Sequence, residues 1–182
     1  TYVIPLTLAI IIILLYANFK SFIEVALIIG TLPLALIGGI WLIYLSDFNF
    51  SVAVGVGFIA LAGVSVEIGM IMLIYLNQSY HAMLDDCRTH SKTPNKEMLS
   101  ESVIHGAVMR VRPVMMTSVA TIAGLLPIFF GTGTGSEVMS RIAAPMVGGM
   151  ISAVILTLLV LPGVYFFWRS YDLKNFTSNS LK

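Results

Sequence analysis

Between Ser51 and Asn77 the chain reads SVAVGVGFIALAGVSVEIGMIMLIYLN, 27 residues with one formal charge, Glu67. About 20 helical residues cross the ~30 Å hydrocarbon layer of a bilayer. A run this long and apolar therefore predicts a membrane-spanning helix. An ionisable residue near the middle of such a helix costs about 2.5–3.5 kcal/mol on insertion scales, and the usual return is a proton or ion pathway. Helical spacing places Ala60, Gly63 and Val64 on the turns before Glu67, and Met70 and Ile71 on the turn after it. Small residues at that spacing let another helix approach closely. Glu67 is thus expected to face protein or a water-filled cavity, not lipid. The competing structural reading is a protonated carboxyl bonded to a neighbouring helix.

Composition agrees with this environment. The 182 residues are 58% hydrophobic and only 10% charged, with mean hydropathy +0.95. Soluble domains carry about 25% charged residues, so an integral membrane protein is expected, with lipid as its solvent and no nucleic-acid partner. A single cysteine, Cys87, excludes an intrachain disulfide framework. One cysteine and three histidines also weigh against a four-ligand structural zinc site.

The apolar runs predict an all-α bundle of five spans, at about residues 2–17, 22–45, 52–77, 114–130 and 138–168. A very short turn with Lys20 joins the first two, and Ser46 to Asn49 lead into the third. From Gln78 the composition turns polar. Thr93-Pro94 reads as an N-cap with proline at the first helical position. Leu99, Val103, Ile104, Ala107, Val108 and Val111 then repeat at helical spacing, which predicts an amphipathic cytoplasmic helix over about 94–112, ended by Pro113. Tyr165 to Trp168 form an aromatic anchor at the membrane interface.

Of ten Lys and Arg, only Arg141 falls away from the first turn, the 78–112 segment and the C-terminal tail. The positive-inside rule puts those three regions in the cytoplasm. Five spans then leave Thr1 outside, and the chain reads as the C-terminal piece of something longer.

Several motifs invite sharper readings. GTGTGS lacks the GK[ST] ending of a phosphate loop and follows no strand, so it reads as a helix connection. His81, Cys87 and His90 could hold a soft or borderline metal, but their spacing matches no zinc pattern and solvated loop histidines are the simpler account. There is no HExxH and no GxSxG, hence no visible catalytic set, and no enzyme or cofactor is expected. Met70, Met72, Met115, Met116, Met146 and Met150 lie in spans. Methionine there either fills space or offers a thioether that selects Cu(I) or Ag(I); composition does not choose between them.

Three stretches carry a family likeness: VAVGVGFIALAGVSVEIGMIMLIYLN, HGAVMRVRPVMMT and GLLPIFFGTGTGSEVMSRIAAPMVGGM. They resemble the C-terminal membrane half of the heavy-metal efflux pumps of the resistance-nodulation-division (RND) superfamily, above all the copper and silver exporters. The resemblance covers about residues 1–168. It implies a homotrimeric, twelve-span inner-membrane pump that works with a periplasmic adaptor and an outer-membrane channel. Such a pump exports Cu(I) or Ag(I) against a proton gradient. It also implies a proton-relay role for Glu67 and a place for Met139 on a stepwise methionine path for the metal. One position departs from the pattern: the lysine that follows the RVRP motif in these pumps is Val114 here. A divalent-metal or drug exporter of the same superfamily, or a truncated remnant that inserts without transporting, are the competing expectations.

Overall fold

The structure, a computed structural model, describes residues 3–89, 96–131, 133 and 135–179, with side chains between 5 and 171 among them. These residues contain no strand and form five helices: α1 (Val3–Phe19), α2 (Phe22–Leu45), α3 (Val52–Thr89), α4 (Lys96–Phe129) and α5 (Ser136–Asn179). The all-α expectation holds. Four of the helices, α2 to α5, are long and apolar enough to cross a membrane, while Pro5–Phe19 of α1 is a shorter apolar helix. Tight turns join the first three. Lys20 adopts φ 52° with its N–H bonded to the Tyr16 carbonyl at 2.8 Å, and Asp47 adopts φ 51° just after α2.

The helices run past the apolar stretches that predicted them. α3 has 38 residues, about 57 Å at 1.5 Å per residue, and continues twelve residues beyond Asn77 to Thr89. The polarity change at Gln78 marks a change of solvent, not a break in backbone hydrogen bonding. Pro113 does not end a helix. The expected surface helix and fourth span are one continuous α4, with Pro113 and Pro127 both inside it. A proline inside a spanning helix is tolerated where neighbours and Ser/Thr side chains satisfy the freed groups. The ring leaves the Met109 carbonyl without its helical donor, and one turn on the Thr117 hydroxyl adds a bond to the Pro113 carbonyl at 3.1 Å. The buried face of this region is Leu99, Ser102, Val103 and Gly106, so Ile104 and Val108 of the expected apolar stripe are exposed. The expected cap at Thr93-Pro94 lies outside the described residues.

α5 packs against α2, α3 and α4. Small residues set the spacing. A Cβ on Gly57 would sit 2.5 Å from the Ile142 carbonyl oxygen, and one on Gly148 would sit 2.6 Å from the Gly38 carbonyl oxygen. Glycine at these points lets α3 and α2 touch the α5 backbone. The Ser152 hydroxyl reaches the Ala35 carbonyl across the α2–α5 seam at 3.2 Å. The largest core cluster joins Ile28 of α2, Met72, Leu73 and Leu76 of α3, Leu99 and Val103 of α4, and Leu161 and Tyr165 of α5. By contrast α4 buries little after Gly106, only Val114 and Ser118, and among the described side chains of α1 only Leu15 is buried.

Candidate functional site

α3 sorts its residues by face. Val54, Gly57, Leu61, Ser65, Ile68 and Met72 are buried on the face that packs against α2, α4 and α5. Val56, Ile59, Gly63 and Glu67 line the opposite, exposed face. No described helix covers Glu67, and no described residue gives it a hydrogen bond or ion pair. The small-residue spacing around it is therefore unused within the chain: a Cβ on Gly63 would meet open space. Ile68, the next residue, packs into a cluster with Val114, Met150 and Val154. Val114 is 2% exposed, so the position where the resemblance implies a lysine is dry and uncharged.

Met139 lies in the first turn of α5, its N–H bonded to the Gly135 carbonyl at 3.4 Å, and its side chain is 57% exposed. Glu137 and Arg141 flank it on the walls of an open cavity of about 520 Å³ at the junction of α3 and α5. They form no ion pair with each other despite their i,i+4 spacing. Met72 and Met150 are fully buried and serve packing, whereas Met115 and Met116 are exposed on α4. Cys87 is buried in the core cluster and His81 is exposed, so they share no ligand set; His90 lies outside the described residues. No group of three or more His, Cys, Asp or Glu that could hold a metal occurs among the described residues.

The most developed polar geometry was not anticipated from the sequence. Glu24, in the first turn of α2, pairs with Arg169 of α5 at 3.5 Å, the two side chains being 6% and 15% exposed. Asn77 of α3 sits between them. Its Nδ2 donates to Glu24 Oε2 at 2.9 Å, and its Oδ1 accepts from the Tyr165 hydroxyl at 2.6 Å and from Arg169 Nη2 at 3.4 Å. Arg169 Nε also donates to the Tyr165 oxygen at 3.3 Å. The guanidinium lies 4.2 Å over Trp168 and 4.5 Å over Tyr80. The available signal was Glu24 itself, a carboxylate placed two residues into an apolar run.

Comparison with known proteins places this arrangement in context. The AcrB/AcrD/AcrF family pattern matches residues 1–169. The chain is 54% identical over 162 residues to the putative cation efflux system protein SilA of Salmonella typhimurium, and 52% identical over 162 residues to the cation efflux system protein CusA of Escherichia coli K12. Each alignment covers 89% of this chain and 15% of the relative. A crystal structure of a heavy metal efflux pump superposes with a TM-score of 0.77 at 34% identity, over 93% of this chain and 15% of that one. The chain thus spans about 15% of the length of the proteins it matches. With a matched pattern over nearly all its residues, and a helical bundle that superposes on a solved pump, the chain belongs to the AcrB/AcrD/AcrF family of RND proteins.

Proposed function

We propose that this chain is the C-terminal membrane portion of a proton-driven exporter of Cu(I) and Ag(I), in which Glu67 carries protons and Met139 handles the metal. The observation that carries the reading is Glu67 itself, a carboxylate in a spanning helix on the one face that the chain's own core leaves open. In the full-length protein that face meets the remainder of the membrane domain, where a carboxylate can exchange protons with water or with a partner group. No covalent chemistry is involved, and the coupling ion is the proton. The pump works as a homotrimer in the inner membrane, with a periplasmic adaptor and an outer-membrane channel.

The sidedness follows from the basic residues: 78–112 and the C-terminus cytoplasmic, 131–137 periplasmic. Cys87 is the only thiol but is buried, which makes it a poor reporter. Arg88 beside it has a side chain 83% exposed. Arg88→Cys in a Cys87→Ala background is expected to react with a membrane-impermeant maleimide only after the cells are opened. Labelling in intact cells would reverse the topology.

Met139 tests the metal assignment. It points about 200° away from Glu137 around the helix at 3.6 residues per turn. Its thioether can therefore face a second soft donor from the rest of the pump while the charges stay in water. Thioethers hold Cu(I) and Ag(I) in preference to Zn(II). Met139→Leu conserves volume and removes the sulfur, a swap that costs less than about 1.5 kcal/mol in packing, and less still at an exposed site. Normal assembly with reduced silver and copper resistance is expected. Silver export equal to the parent's would leave Met139 with a packing role only.

A further inference from the structure

The polar network sits on the same helix as Glu67 but is no part of its exposed face. Asn77 lies ten residues further along α3, about 15 Å along the axis and about 80° around it. Both ends of its amide are committed in a chemically consistent way: the NH₂ donates to a carboxylate, and the carbonyl accepts from a hydroxyl and a guanidinium. Its partners belong to two other helices, Glu24 to α2, Tyr165 and Arg169 to α5. α3 cannot turn about its axis without breaking these bonds inside a largely buried cluster, where unpaired polar groups are costly.

The Ser79 hydroxyl also donates to the Ser102 carbonyl of α4 at 2.7 Å, but only the Asn77 cluster ties α3 by side-chain hydrogen bonds to both α2 and α5. The consequence for Glu67 is direct. Its side chain stays on the open face only while Ser65 and Ile68 stay buried, Ile68 against Val114 of α4 and Met150 and Val154 of α5. A rotation of a few tens of degrees would carry Glu67 toward a helix neighbour and Ser65 toward the outside.

We propose that Asn77, gripped between Glu24, Tyr165 and Arg169, is the rotational stop of α3 and thereby a positioning residue for Glu67. The assignment of a transport role to Glu67 rests on the function proposed above; the rotational stop itself is measurable without transport. Ser65 of α3 is 0% exposed and Ala153 of α5 is 2% exposed. Cysteine introduced at either position in an otherwise cysteine-free, full-length pump reports on the seam through its rate of reaction with N-ethylmaleimide in proteoliposomes. Asn77→Leu is expected to raise the rate at position 65 at least tenfold and to leave position 153 at the parent rate.

Tyr165→Phe keeps the ring but removes one of the three bonds to Asn77, and with it the acceptor of Arg169 Nε. It is expected to give about a threefold rise with the same selectivity, which keeps the test open if Asn77→Leu fails to assemble. Equal rises at both positions would mean general loosening and would overturn the proposal, as would an unchanged rate at 65 in Tyr165→Phe and an assembled Asn77→Leu pump. The two assignments fail separately. Labelling that shifts while Glu67→Gln still transports removes the relay and keeps the stop; unchanged labelling with a dead Glu67→Gln pump does the reverse.

Discussion

Glu67→Gln in the full-length pump is expected to abolish metal resistance while expression and trimer assembly stay at parent levels. Glutamine has the shape of a protonated glutamate but cannot lose a proton, so it removes titration alone. Within these helices the change disturbs no contact, because no described residue bonds to Glu67 and glutamine keeps the size of the protonated acid. Substitutions away from buried or bonded features usually fall within about ±0.5 kcal/mol. A carboxylate serving as interhelical glue within this chain would need a partner, and α2, α4 and α5 supply none. The measurement is silver-dependent growth alongside silver-driven proton flux in vesicles. Normal resistance in the glutamine variant would leave only a bond to the rest of the protein to explain the residue. Because Glu67→Gln leaves the Asn77 bonds that hold α3 untouched, the result bears on the relay alone.

What could be read from the sequence followed what physics makes local. The apolar run around Glu67 predicted a helix because lipid forces a backbone to satisfy its own hydrogen bonds. The helix is there from Val52, with Glu67 in its apolar half. Its continuation to Thr89 was hidden because the sequence marks where the solvent changes, whereas the backbone ladder runs on. Pro113 misled for a related reason. The ring removes one hydrogen bond, and in water that often ends a helix; α4, packed on α3 and α5 at Val103 and Val114, carries on through it. The Glu24–Asn77–Tyr165–Arg169 network was illegible in a stronger sense. Each member sits near the end of an apolar run, where polar residues are ordinary. Only the three-helix register brings them together, and no spacing along one helix encodes it. The exposed position of Glu67 is the converse case: its small neighbours predicted a close helix, and no described helix takes that place.

The second large effect belongs to Arg169. Its removal leaves Glu24 in a site only 6% exposed, without its cation. Breaking a buried pair by deleting one partner typically costs about 3–5 kcal/mol, because the remaining charge is uncompensated. Arg169→Ala additionally gives up the stacking on Trp168 and Tyr80, worth about 0.5–2 kcal/mol per desolvated contact. A loss of about 3–5 kcal/mol or more is therefore expected in the denaturant or thermal unfolding of the purified pump. Arg169→Lys should fall between, since a point charge still faces Glu24 but the planar fork that reaches Tyr165 and Asn77 together is gone. Replacing both partners separates charge from packing. Apolar substitution of a whole buried pair is often neutral or stabilising, so Glu24→Leu with Arg169→Met is expected to be less destabilised than Arg169→Ala. The double-mutant cycle completed with Arg169→Met and Glu24→Leu alone should give a coupling energy of at least about 1 kcal/mol, as groups in one network do. Strict additivity would mean that the two charges, although 3.5 Å apart, are each stabilised separately, Glu24 by Asn77 and Arg169 by the aromatic rings. The three helices would then be held together by their apolar seams and not by the ion pair.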